Sequence, residues 1–352
     1  MFKLNILNRF LMRRFFSGVG LVMLVVCGII LAVTFVERLP SNPTIWAALA
    51  ESWARLMEYV PLFLPLAVFM GTLLASYNLT KSTESIIVSS AGLSPYQAAR
   101  PFLIGAAIIG IFATTLVNPY SVHINAENIT ADHLKLVDGA IWLREASTNG
   151  YITLRAGAMH KAGANLVFDN ATIYVQDIKF KLTERVQSSA VNLSDAGLSA
   201  DEAQIWDANG MMHTGQWNTT TLLTPQTVLD RYLKPDQISF WRLPDFIKKM
   251  QAIGVPMRGH LVQLWTLLFL PLTLVAMATL GVAFSQTRQR RNYSFGVKFA
   301  SGIITCFALY FLVNMFNALG ATGALPAMLS VVAPPLIIIA AAGAFMASFD
   351  TI

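Results

Sequence analysis

Six long runs nearly free of charge constrain this chain more than any other feature. Phe15 to Val36, Pro61 to Leu79, Pro101 to Tyr120, Leu261 to Ser285, Phe295 to Leu319 and Pro326 to Ser348 can each form a helix. Each is close to the ~20 residues that an α-helix needs to cross a bilayer's hydrocarbon. Composition agrees: 55% of residues are apolar, 12% are charged, and mean hydropathy is +0.55, far from soluble usage. The runs gather toward both ends and leave a polar interval between them. The expected fold class is therefore membrane α-helical, with six transmembrane helices and an inserted all-β domain. Its expected segments are residues 1–120 with the first three spans, 121–260 with the insertion, and 261–352 with the last three.

Positive charge sets the threading. Lys3, Arg9, Arg13 and Arg14 precede the first run, which reads as a signal-anchor helix starting in the cytoplasm and too long for a cleaved signal. Lys81 to Arg100 and Arg288 to Lys298 are basic as well, whereas the first loop, Glu37 to Tyr59, mixes Arg38 and Arg55 with Glu37, Glu51 and Glu58. Both chain ends are expected in the cytoplasm, with 121–260 outside. The net charge of +6 is spent on this orientation, and no basic patch interleaved with aromatics points to nucleic acid. Cys27 and Cys306 both lie inside apolar runs and the polar interval holds none, so no disulfide framework is expected. Pro65 and Pro101 are expected to kink or start helices, and Pro334-Pro335 weakens the last span.

The polar interval reads as β structure after a helix over Asn125 to Val137. Stretches at 140–144, 151–155, 165–168, 171–176 and 180–183 alternate or are β-branched and aromatic. Asn149-Gly150, Gly157 and Asp169-Asn170 lie between them as turn signals. Weaker strands are expected near Ile205, Met212 to Trp217 and Leu222, and Pro244 opens a short helix that Gly254 ends. This pattern describes an all-β sandwich or barrel.

The chain contains no nucleophile elbow, no H-E-x-x-H, no C-x-x-C pair and no glycine-rich phosphate loop. His123, His133, His160, His213 and His260 lack the spacing of metal ligands, so neither metal nor cofactor is expected. Asn170 to Thr172 and Asn218 to Thr220 match the glycosylation triplet and read as turns. The most informative segment is the cytoplasmic one. Thr83 caps a short helix carrying Glu84 and Ser85 in its first turn, where a carboxylate is favoured, and Gly92 closes it. Ser94 to Gln97 then forms a capping box with Pro95 at the first helical position, launching the third span. Such a helix either docks into a cleft of a cytoplasmic motor or lies at the interface and turns the chain.

Tyr77 to Pro101, with its Thr83-Glu84 and Ala91-Gly92-Leu93-Ser94 core, resembles the segment between the second and third spans of the lipopolysaccharide-export permeases, the LptF/LptG (YjgP/YjgQ) family. The resemblance extends over the whole chain in the order of spans, loops and insertion. Phe35 to Leu39, Gly139 to Trp142, His260 to Pro271, Gly296 to Lys298 and Ser301 to Ile303 look more like the G type of the two paralogous types.

That resemblance implies a non-enzymatic half-transporter of an ATP-binding-cassette machine in the bacterial inner membrane. It implies a heterodimer with an F-type (LptF-like) paralogue. It further implies a cytoplasmic ATPase dimer (LptB-like) that binds ATP and Mg, and single-span periplasmic bridge proteins (LptC/LptA-like). Lipopolysaccharide is the implied substrate and a β-jellyroll-like shape is implied for the insertion. The short cytoplasmic helix would be the coupling helix, with Glu84 pairing to bases of the ATPase and Thr83, Ser85 and Gly92 framing it. Arg38, beside Glu37, is the candidate rim cation for lipid phosphates or else a solvated charge. Lys298 either snorkels to the cytoplasmic face or contacts lipid. Two other readings stand beside this one. A membrane-anchored scaffold or chaperone would tolerate substitution of Glu84, and permeases of other envelope exporters commonly carry four spans with the large domain after the first.

Overall fold

Hydropathy marks the middle of each helix but not its ends. The computed structural model describes residues 6–42, 44–81, 95–125, 141–147, 150–162, 165–208, 210–221, 224–225, 228, 234–252, 257–285 and 295–350. In it α1 spans Ile6–Arg38, α2 spans Ile45–Lys81, and α3 starts as Pro95–Phe112. The last passes through a π-helical turn, Ala113–Val117, and continues to Asn125. After the β domain come α4 (Leu243–Ala252), α5 (Arg258–Leu268), α6 (Leu270–Ser285), α7 (Phe295–Thr322) and α8 (Ala327–Asp350). Among the described residues five helices are long and apolar enough to span a membrane, and α5 with α6, bent by 55° at their break, make a sixth span if the pair is taken as one.

Several expectations change. The first loop, Glu37 to Tyr59, is mostly helix: α1 runs to Arg38, a 3₁₀ turn covers Leu39–Ser41, and α2 begins at Ile45. Thr44 Oγ1 accepts the N–H of Ala47 at 3.2 Å as a cap. Outside hydrocarbon the helical hydrogen bonds persist while charged side chains meet water, so an apolar window stops short of the real helix end. Trp46, Trp53 and Tyr59 lie exposed along this stretch, as an interfacial aromatic belt requires. Pro61 and Pro65, and Pro334 and Pro335, lie inside α2 and α8 rather than ending them, which membrane helices tolerate when neighbours satisfy the freed carbonyls.

The chain divides into two compact units, Met1–Asn125 with Ile238–Ile352, and Ala126–Gln237. The insertion is thus shorter than the 121–260 expected. Residues 238–252 pack with the helices because the Phe240 N–H is donated to Asn118 Oδ1 at 2.8 Å and the Trp241 indole N–H to the Thr115 carbonyl at 3.2 Å. Leu243, Phe246, Ile247 and Met250 are buried there as well. In the helical unit α2 and α6 are the interior elements: 56% of the most apolar stretch of α2 is buried, against 11% for α1 and for α7, and ten of the 16 residues of α6 are buried. A Cβ on Gly71 would come within 2.5 Å of the Val19 backbone, and one on Gly18 within 2.6 Å of the Gly71 carbonyl. α1 and α2 therefore cross at backbone contact, the way small residues let membrane helices associate.

The second unit is one seven-stranded antiparallel sheet. Its strands are β1 (Ile141–Ser147), β2 (Gly150–Ala156), β3 (Ala158–Ala162), β4 (Asn165–Gln176), β5 (Leu182–Ser194), β6 (Gly197–Asp207) and β7 (Met212–Thr219). The order is β1-β2-β4-β5-β6-β7, with β3 pairing the first half of β4 while β2 pairs the second. Every pair but β2–β4 joins strands consecutive in sequence, and β2 and β3 form one run bent at Gly157 that lies along β4, so the connectivity is a meander. No Greek-key crossover, the connection that defines a strict jelly roll, occurs among the described strands. The helix expected over Asn125 to Val137 lies, past its first residue, outside the described residues.

The sheet encloses its own core by creasing. Along a regular strand buried residues recur every second position. Here the interval widens to three on one transverse line, from Ala156 to Met159, Phe168 to Ala171, Ser188 to Val191 and Ala200 to Ala203. Register ties these places together: Met159 faces Phe168, Phe168 faces Val191, Ala171 faces Ser188, and Ser188 faces Ala203. Gly157 and Asn170, the latter at φ 49, occupy the crease. Gly157, read above as a turn signal, does separate two strands, β2 and β3, whereas Asn170 bends the chain within β4, which continues through it. The concave side holds Phe168, Ile173, Val186, Val191 and Leu193, all fully buried.

Candidate functional site

The break between α5 and α6 is built from three contacts. Pro271 has no N–H to give the carbonyl of Leu267 four residues earlier, and a carbonyl left bare in hydrocarbon costs several kcal/mol. The hydroxyl of Thr114, in the π-helical turn of α3, donates to that carbonyl at 2.8 Å. One turn earlier on α3, Gly110 lets Pro271 approach so closely that any Cβ would overlap it. At the end of α5 the N–H of Phe269 returns to the Trp265 carbonyl at 2.8 Å, and the two rings stack at 5.8 Å. A π-turn, a proline and a glycine thus meet where two spans touch.

Beyond the break, α6 runs beside α2 and α7, and an apolar cavity of about 250 Å³ opens between the three. Leu62, Phe63, Pro65 and Leu66 of α2 line it with Thr273 and Met277 of α6 and Cys306, Phe307, Tyr310 and Val313 of α7. None of these carries a charge. Thr273 turns its hydroxyl back to the Phe269 carbonyl at 3.2 Å, so the wall it presents is largely hydrocarbon. Phe307 is 66% exposed and Leu62 46% exposed, so the cavity reaches the outer surface of the helices. Its chemistry suits an alkyl chain, with aromatic and methylene walls and little polar surface to desolvate.

At the α1–α2 junction, Arg38 is engaged rather than free. Its guanidinium pairs with Glu51 at 2.8 Å, and the Asn42 amide donates to Glu51 at 2.8 Å and to the Arg38 carbonyl at 3.0 Å. Glu37, its neighbour, is exposed. Lys298 lies in the first turn of α7, and its side chain is outside the described residues. Thr83, Glu84, Ser85 and Gly92 are outside them too. Among the described candidates, Arg38 and Glu37 are not part of the cavity's lining. Of its lining residues, the sequence marks Pro65, as a helix kink, and Cys306, as a thiol inside an apolar run. Cys306 proves buried, in the cavity wall. Among the described residues no group of His, Cys, Asp and Glu is arranged to hold a metal.

Residues 9–348 match the family described as lipopolysaccharide export system permease LptF/LptG. This chain belongs to the LptF/LptG family. Family membership covers the spans and the inserted sheet together. The chain is similar to the lipopolysaccharide export system permease protein LptG of Haemophilus influenzae, with 20% identity over 96% of each chain. It is similar also to LptG of Escherichia coli K12, with 21% identity over 94% of each. At such identity most side chains differ, while the LptF/LptG plan of helices around one inserted domain persists along the full length.

Proposed function

We propose that this chain is the G-type permease subunit that takes lipopolysaccharide from the inner membrane and passes it to a periplasmic bridge. Both its termini lie in the cytoplasm and its β domain in the periplasm. The observation that carries this reading is the uncharged cavity between α2, α6 and α7, which offers an alkyl chain an almost wholly apolar wall in a family of lipopolysaccharide export permeases. The chain hydrolyses nothing itself. An F-type paralogue completes the transporter, and a separate cytoplasmic ATPase binds ATP and Mg and drives it through the segment holding Thr83, Glu84, Ser85 and Gly92. β1 and β7 each have one paired neighbour among the described strands, and such edges accept an added strand from a bridge protein. Arg38 reaches a lipid phosphate only by exchanging Glu51 for it.

The test is recovery of the tagged chain from native membranes in mild detergent, with partners and lipids identified by mass spectrometry. A second six-span permease, a cytoplasmic ATPase and lipopolysaccharide are expected together. Recovery of the chain alone, or with soluble outer proteins only, overturns the reading. Glu84→Ala is expected to leave that assembly intact and abolish export; undiminished export removes Glu84 from the coupling role.

A further inference from the structure

Three arginines stand on one face of the sheet, each against an aromatic ring. Arg144 lies 4.8 Å from the Tyr151 ring centre and 5.3 Å from that of Phe180, Arg155 lies 5.8 Å from Trp142, and Arg185 lies 5.0 Å from Trp206. Strand register puts them on common rows: Arg144 faces Thr153, Thr153 faces Tyr174, Tyr174 faces Arg185, and Arg185 faces Trp206. The adjoining row runs Trp142, Arg155, Thr172, Gln187 and Gln204. At ~4.8 Å between neighbouring strands, Arg144 and Arg185 stand ~14 Å apart.

No acid shares this face among the described residues of these rows. Glu145, Glu184 and Asp207 alternate to the opposite side, where Glu145 bonds to the Thr221 hydroxyl and Glu184 accepts the Trp217 indole N–H at 3.3 Å; exposed Glu202 of β6, two residues before Gln204, lies on the solvent side outside these rows. No ion pair links Arg144, Arg155 or Arg185 to a carboxylate among the described residues, and Arg185 Nε has no hydrogen-bond partner. Stacking occupies only the flat side of a guanidinium, so the exposed Arg144 and Arg155 keep in-plane N–H groups for bidentate bonds to an anion. Arg185 buries its Nε and donates from Nη2 to Gln187 Oε1 at 3.4 Å, so it turns its terminal nitrogens to an anion by exchanging Gln187 for it. The β4–β5 turn is shaped to the same end. Asp177 Oδ1 accepts the N–H groups of Lys179 and Lys181 at 2.8 and 2.9 Å, holding Phe180 at φ 61 with its ring stacked 4.7 Å from Tyr151. That turn adds two exposed lysines beside the arginines.

We propose that this face is a binding surface for a phosphorylated saccharide, the guanidinium groups taking the phosphates and the exposed rings of Trp142 and Phe180 taking the sugar faces. Charge complementarity demands an anion. Flat rings interleaved with fork donors across strands suit a string of sugars, whereas an acidic peptide would add along an edge strand. The inference rests on the export reading, since the ligand is the sugar-phosphate part of the exported lipid.

The test uses the complex from native membranes with a photo-crosslinking residue at exposed Gln187 on this face or at Val313 in the cavity. Lipopolysaccharide adducts are expected from both positions. The combined Arg144→Gln, Arg155→Gln and Arg185→Gln variant, and separately a lipid stripped of its phosphates, are expected to lower the Gln187 adduct by at least about tenfold and to spare the Val313 adduct. Replacing the three arginines by lysine keeps the charge and lacks the fork, so an intermediate adduct is expected; if the Gln variant does not assemble, a Lys variant equal to wild type overturns the proposal. An adduct at Gln187 indifferent to phosphate, an adduct to an acidic protein there, or lipid captured at Val313 alone overturns it and leaves export standing. No lipid at either position overturns the export reading and this inference with it.

Discussion

The helical unit and the sheet bury their apolar side chains by opposite means. In the sheet, large side chains fill the concave side, and Phe168, Ile173 and Leu193 are sealed from solvent. In the helices the contacts that matter include places where a side chain is missing, as at Gly18, Gly71 and Gly110. The difference follows from the solvent. Water expels apolar groups into the sheet's core, but lipid gives no such push, so helices associate through close backbone packing and a few polar bonds. A truncation should therefore hurt the sheet most and an enlargement the helices most.

The strongest trial of that contrast is Phe168→Ala, which should cost the β domain ~3–5 kcal/mol. Hydrogen exchange should show β4 and β5 losing protection while α2 keeps its own; equal losses in α2 would mean that the two units unfold as one. Next comes Gly71→Val, which places a branched side chain against the Val19 backbone and should destabilise the helices by ~1–3 kcal/mol on detergent titration. Gly20, which faces open space, is its control, and Gly20→Val should shift stability by no more than ~0.5 kcal/mol. Thr114→Val removes the hydroxyl that serves the Leu267 carbonyl, and the same titration should register a loss of ~0.6 to ~1.7 kcal/mol. The smallest effect belongs to Arg38 and Glu51. A double-mutant cycle on this partly exposed pair should give a coupling below ~1 kcal/mol that shrinks with added salt. A larger value would make it a structural clasp between α1 and α2.

What the sequence announces, and what it hides, divides along the same lines. All six runs become helices because ~20 uncharged residues have almost no other stable form in a bilayer. Their ends were misjudged at Glu37 to Tyr59, since hydropathy measures the lipid's thickness and not the helix's length. The break at Phe269 was hidden as well: Pro271 is visible, but the Thr114 hydroxyl that makes the break tolerable comes from 153 residues away in sequence. In the sheet, β1, β2 and both halves of β4 were anticipated, while β5 and β6 were mostly missed. Their buried positions shift phase at the crease, through Ser188 and Val191 and through Ala200 and Ala203, and a search for strict alternation finds neither half long enough. The cavity was unreadable because Leu62, Met277 and Val313 look in sequence like any other lipid-facing or packed residue. Only the meeting of three helices distinguishes them.

The order of the strands also bears on how the domain is made. From β4 onward each strand follows its partner directly in the chain, so a growing polypeptide delivers β4, β5, β6 and β7 to a partner already in place. Low contact order of this kind favours fast folding, and the sheet need not await the three C-terminal spans. Interior strand edges, which invite aggregation while bare, are thereby covered during synthesis, and the open edges are left to the outermost strands, β1 and β7.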